Sequence, residues 1–179
     1  MCGCAVQPVV PRIDTNLAAE RNAHVLKELH ELGRNGDWLV ARGYHVTDDM
    51  VSTLTNMPFS HAAVLDADGN QVIEADSSGV HTTPLAEFIN KSQRIMLVRS
   101  VWANGDAANN AVVKARTLLG RPYDFLGLLG ANIPNEYYCS ELAIEIYRPA
   151  IRPEDRIPRP VAPGQLHYWG RILFDTGAL

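Results

Sequence analysis

Leu17, Val25, Leu26, Leu29 and Leu32 recur at helical spacing and make one apolar stripe, with His24 and His30 on its polar flank. Asp14, Thr15 and Asn16 offer caps before the stripe, and Gly33 and Gly36 stop it, so the pattern predicts an amphipathic helix of about five turns. The period then changes. Asp37 to Ala41 (Asp-Trp-Leu-Val-Ala) is a short apolar run of the kind that forms a buried strand. A polar, weakly helical stretch follows as far as Asn56, and Pro58 breaks it. Two more apolar runs, His61 to Leu65 and Gln71 to Ala75, flank Asp66-Ala67-Asp68-Gly69-Asn70 and predict a hairpin. Pro84 to Lys91 predicts a short helix with proline in its first turn, and Arg94 to Arg99 a strand. Ala108, Val112, Ala115, Leu118 and Leu119 form a second helical stripe, capped by Asn104 or Asp106 and ended by Gly120 and Pro122. Tyr123 to Glu136 is aromatic and glycine-rich and predicts a loop, after which a helix begins near Cys139 and runs to Pro149. Pro153, Pro158, Pro160 and Pro163 predict an extended surface connection, and His167 to Phe174 a last strand. Helices with a mainly antiparallel sheet make an α+β domain.

A chain of 179 residues suits one domain, which the pattern places at residues 14–179 behind an N-terminal extension at residues 1–13. Composition is ordinary for a globular protein, and 11 prolines with 13 glycines argue for many turns rather than a helical bundle. The net charge of -4, without any lysine or arginine run, argues against nucleic acid and against a polybasic membrane patch, leaving small or peptide-like substrates. No stretch approaches the roughly 18 uncharged apolar residues of a membrane span. The opening Met1-Cys2-Gly3-Cys4-Ala5 has the small residue before cysteine that ends a bacterial lipoprotein processing site, without the positive and apolar regions that should precede it. Two expectations follow. If an export signal lies upstream, Cys4, or less suitably Cys2, carries a lipid that tethers the protein to the bacterial envelope. Otherwise the start is incidental and the protein is cytoplasmic. Cys2 and Cys4 lack zinc spacing and form no disulfide framework, which leaves Cys139 alone in the body of the chain.

Cys139 sits where a Pro/Asn/Tyr loop turns into a helix, so free backbone N–H groups and the helix dipole favour a thiolate there and could hold an oxyanion. The plainer alternative is a small buried hydrophobe. A sulfur nucleophile needs a base, and the base an orienting acceptor. His45 reads as a loop residue and, like His24 and His30, as solvated, whereas His61 opens an apolar strand after Pro58-Phe59-Ser60. It is either a base or a strand-end histidine bonded to a nearby carbonyl. Glu74 interrupts the second strand of the hairpin. A four-residue loop from Asp66 to Gly69 sets Glu74 directly opposite His61; a two-residue Asp68-Gly69 turn sets Asp76 opposite and Glu74 on the diagonal; a three-residue bulged loop turns Glu74 away. Register therefore decides between Glu74 and Asp76.

These residues carry a resemblance. Gly36-Asp37-Trp38-Leu39-Val40, Ser60-His61-Ala62, Val72-Ile73-Glu74-Ala75, Gly79-Val80, Thr83-Pro84-Leu85 with Phe88, Gly120-Arg121-Pro122-Tyr123-Asp124 and Tyr137-Tyr138-Cys139-Ser140-Glu141-Leu142 follow one another in the order of the YiiX/YebB-like group. That group belongs to the circularly permuted NlpC-type, papain-like superfamily, which also holds the lecithin retinol acyltransferase relatives. The resemblance implies a permuted papain-like fold, with an antiparallel sheet packed on helices. It also implies a Cys139 nucleophile, a His61 base and Glu74 as orienter. By resemblance, Tyr123 is a substrate-pocket or oxyanion-side residue. Glu141 falls in the first turn of the helix as a dipole partner or structural contact, and His81 and His167 receive no role. The implied activity is a cysteine amidase or peptidase on cell-wall peptides or related amide bonds, without metal or cofactor. The alternatives are a lipid acyl hydrolase or acyltransferase, and a catalytically silent domain that holds a peptide or lipid.

Overall fold

Trp38, Leu39, Val40 and Ala41 are buried to 1% exposure or less, and the molecule is built outward from them. The structure is a computed structural model that describes residues 15–44, 58–127, 130 and 133–177. The strand holding those four residues, β1 (Trp38–Gly43), lies between β2 (His61–Asp66) and β5 (Ser92–Ser100) and is antiparallel to both. The sheet is completed by β3 (Gln71–Asp76), β4 (Gly79–Pro84) and β6 (Gly170–Asp175), in the order β4-β3-β2-β1-β5-β6 with every neighbour antiparallel. A continuous apolar run is what a strand covered on both faces requires.

Side chains alternate between two helical layers. Leu39, Ala63, Leu65, Val72 and Leu97 face α1 (Thr15–Leu32) and α2 (Leu85–Lys91), against Val25, Leu29, Leu85, Phe88 and Ile89. Trp38, Val40, Ala62, Val64, Ile73 and Val98 face α3 (Ala107–Thr117) and α4 (Cys139–Glu145), against Val112, Ala115, Leu142 and Ala143. Leu142 is fully buried, so its truncation to alanine would cost about 2–5 kcal/mol. Buried charge ties the layers together. Asp37, just before β1, accepts two bonds from Arg99 at 2.9 and 2.7 Å, and Asp66 at the hairpin accepts from Arg116. Tyr147 Oη donates to the Gly36 carbonyl at 3.0 Å.

The β2–β3 register is that of the two-residue turn. Ala63 pairs with Glu74 and Asp66 with Gln71, so continuing the ladder sets Asp76 opposite His61 and Glu74 on the diagonal. Ala67 to Asn70 close the hairpin through an Asn70 N–H bond to the Ala67 carbonyl at 3.2 Å, and Asn70 takes the left-handed φ of 50° that asparagine tolerates.

Four expectations are corrected. Gly79–Pro84 is an edge strand where none was read: its Val80 and Thr83 are buried while Thr82 is exposed, and this polar composition hides the alternation. The last strand begins at Gly170, because Pro163–Trp169 winds into 3₁₀ turns closed locally by His167 Nδ1 on the Gly164 carbonyl at 2.5 Å. The proline-rich connection is likewise partly 3₁₀, at Arg148–Ala150 and Pro153–Asp155, where proline occupies an early helical position. The helix from Cys139 ends at Glu145 rather than near Pro149. The polar stretch through Asn56 and the cysteines Cys2 and Cys4 lie outside the described residues. Among the described residues no helix is long and apolar enough to cross a membrane.

Candidate active site

His61 is the first residue of β2, and the chain before it is fastened to β1: the Ser60 N–H donates to the Ala41 carbonyl at 2.9 Å, and Ser60 Oγ accepts the Gly43 N–H at 3.3 Å. The ring therefore stands at the margin of the sheet, where both helical layers reach it. Phe88 of α2 lies 6.1 Å away centroid to centroid, and the Cys139 side chain of α4 is near enough to raise the His61 pKa. Nε2 of His61 is 2.5 Å from Glu74 Oε2, which leaves Nδ1 as the nitrogen available to Cys139. Glu74 is nearly buried, and its other oxygen accepts a bond from Thr83 Oγ1 at 2.5 Å. His81 Nε2 lies 3.6 Å from that same oxygen.

The electrostatics follow from these contacts. Burial alone would push the His61 pKa down and the Glu74 pKa up. For His61, hydrogen bonds to Cys139 and Glu74 together with their charges outweigh burial and raise it well above its ordinary value. For Glu74, the bond and charge of His61, the Thr83 hydroxyl and the charge of His81 overcome burial and hold the carboxyl at about 2.

Cys139 is the first residue of α4 and is 4% exposed. Its two neighbours grip one residue of the C-terminal connection from both sides. The Val161 N–H donates to Tyr138 Oη at 3.0 Å, and Ser140 Oγ donates to the Val161 carbonyl at 2.7 Å. Both bonds are buried, so together they fix the start of the helix and the direction of the sulfur. Glu141 lies in the first turn of α4 close to the Tyr138 backbone, and burial raises its pKa. This contact concerns the helix start rather than acid chemistry.

Tyr123 is half-buried and packs edge-on to Phe125, with centroids 4.9 Å apart. Burial, and then the nearby Cys139 and Asp76, push its pKa up, so its hydroxyl remains a proton donor at neutral pH. Fully buried Asp124 shapes the loop beyond it by accepting the N–H groups of Leu126 at 3.0 Å and Gly127 at 2.7 Å. Of the two carboxylates the hairpin leaves open, Glu74 is the one that touches His61, while Asp76 bonds Ser78 and lies 3.6 Å from His81 Nδ1. Thr83 and His81 join the cluster although the sequence reading gave neither a role, because both depend on the unread strand β4. Among the described residues no group of three His, Cys, Asp or Glu side chains is arranged to hold a metal ion.

A histidine and its carboxylate on adjacent strands, followed later in the chain by a cysteine at a helix start, is the order of a permuted papain-like cysteine hydrolase. The model of the permuted papain-like amidase family YaeF/YiiX, peptidase family C92, matches residues 36–161, and the chain belongs to that family of enzymes. A crystal structure described as the metalloprotein YiiX from Escherichia coli O157:H7 superposes with a TM-score of 0.57 at 23% identity. That match covers 66% of this chain and 66% of the other, so this chain spans about two thirds of the length of that protein and shares its fold. No curated protein matches the chain.

Proposed function

We propose that the protein is a cysteine amidase that cleaves cell-wall peptide bonds or related amides, with Cys139 as nucleophile, His61 as proton carrier and Glu74 as the residue that orients His61. The observation that supports it most directly is that His61 is bonded to Glu74 at 2.5 Å and has Cys139 beside it, near enough to raise its pKa. His61 takes the Cys139 proton, and the sulfur attacks the acyl carbon of the amide, so that a C–S bond forms and the carbonyl electron pair moves to oxygen. The Tyr123 hydroxyl and the first-turn N–H groups of α4 stabilise that oxyanion. Its collapse breaks the C–N bond, and His61 gives its proton to the departing amine. Water then attacks the thioester, His61 accepts the water proton, and the acid leaves as the sulfur recovers its proton.

A second reading, with a long-chain acyl group in place of the peptide, is favoured by Phe125 and Leu126, which are 62% and 51% exposed beside Tyr123. Mass spectrometry after brief incubation with a peptidyl p-nitroanilide, and in parallel with a long-chain acyl p-nitrophenyl ester, tests both. An acyl adduct on Cys139 from the peptide is the expected result. An adduct from the ester alone supports the second reading, and no adduct from either contradicts a catalytic Cys139.

A further inference from the structure

Thr83 is a β-branched residue at 3% exposure on an edge strand, where valine would fill the same volume without a polar atom to satisfy. Its hydroxyl is spent on one acceptor, Glu74 Oε1, at 2.5 Å, while Oε2 of the same carboxylate meets His61 Nε2 at 2.5 Å. The ladder explains how the two are brought together. Thr83 pairs with Val72 and Glu74 with His81, so Thr83 and Glu74 share a face of the β3–β4 pair on the diagonal, as Glu74 and His61 do across β2–β3. Three strands thus pass one hydrogen-bonded line across the sheet, from Thr83 through Glu74 to His61.

We propose that Thr83 is a positioning residue of the active site, whose hydroxyl fixes the Glu74 carboxylate so that it presents Oε2 to His61. The inference rests on the reading of Cys139, His61 and Glu74 as the catalytic group. A carboxylate on a three-torsion side chain, held at one oxygen only, is free to rotate; a bond to each oxygen removes that freedom. His81, at 3.6 Å from Oε1, is too far for a hydrogen bond and is drawn towards Asp76 and the Gly79 carbonyl, so it does not replace the hydroxyl. The titratable groups that act on Glu74 are His61, His81 and, through its charge alone, Lys91, and of these only His61 is hydrogen-bonded to it.

The test is an NMR titration of the His61 ring in the native chain, Thr83→Val and Thr83→Ser, alongside iodoacetamide alkylation of Cys139. Thr83→Val loosens Glu74, so the His61 midpoint is expected to fall by about one pH unit and alkylation near pH 6 to slow about tenfold. Thr83→Ser keeps the hydroxyl and is expected to stay within about threefold of the native rate. A Thr83→Val protein that melts lower yet keeps the native His61 midpoint would reduce Thr83 to packing and overturn the inference. Should Thr83→Val not fold, the native chain decides, since the Thr83 hydroxyl proton must be protected from exchange with water and a fast-exchanging one overturns the assignment. Failure of the underlying reading is separately visible, as a native Cys139 that is inert to iodoacetamide whatever occupies position 83.

Discussion

Glu74 meets His61 on the diagonal of the β2–β3 ladder: its directly paired neighbour is Ala63, yet its Oε2 lies 2.5 Å from His61 Nε2. Asp76, which the same register aligns with His61, is bonded instead to Ser78. Replacing Glu74 with Gln should therefore lower turnover by about 10²-fold or more, since it removes the charge that orients the imidazolium. Asp76→Asn should stay within about threefold, as expected for an exposed carboxylate. Steady-state kinetics of the two variants checks this, and the reverse ranking would transfer the orienting role to Asp76.

The same pair links stability to pH. The Glu74 carboxyl is held at about 2 against an ordinary 4.5, so its stabilising effect is complete above pH 4.5 and is lost as pH falls towards 2. The His61 pKa is raised, so its contribution is complete below 6.5 and is lost as pH climbs through the folded value. Urea midpoints should peak between these ordinary values, 4.5 and 6.5. In Glu74→Gln the acid limb should flatten. An unchanged acid limb in that variant would assign the effect to other carboxylates.

Tyr123 keeps its proton at neutral pH, and a donor that stays protonated can serve an oxyanion without being consumed. Tyr123→Phe keeps the ring and its contact with Phe125 but removes the hydroxyl. It should lower kcat by about 10²-fold with little change in KM or melting temperature, the loss typical of one oxyanion donor. A rise in KM at constant kcat would make Tyr123 a substrate-binding residue instead.

The helices of the two layers and the central strands could be read from apolar periodicity, because β1 is buried on both faces and α1 on one stripe. His61 and Glu74 stood out as polar groups in apolar runs and Cys139 as a lone cysteine where a loop turns into a helix, and the structure brings all three together. The hairpin register was not legible, since the residues from Asp66 to Asn70 accommodate several turn types and the choice depends on Asn70 adopting a positive φ. Strand β4 was hidden by its composition, Gly-Val-His-Thr-Thr-Pro, whose alternation shows only once Thr83 is seen buried against Glu74. The grip of Tyr138 and Ser140 on Val161 joins residues 21 to 23 positions apart, a separation that local pattern does not reach.

The proposed chemistry depends on Cys139 being activated by His61. The most direct measurement is the rate of iodoacetamide alkylation near pH 6, with the modified cysteines mapped by mass spectrometry. Cys139 is 4% exposed, so a small reagent such as iodoacetamide is the fair probe of it. Cys139 should react well before Cys2 and Cys4, and His61→Ala should slow its reaction by about tenfold or more while leaving the other two unchanged. A Cys139 that reacts no faster than Cys2 and Cys4, at a rate indifferent to His61→Ala, would contradict the catalytic assignment and leave the domain a binding module.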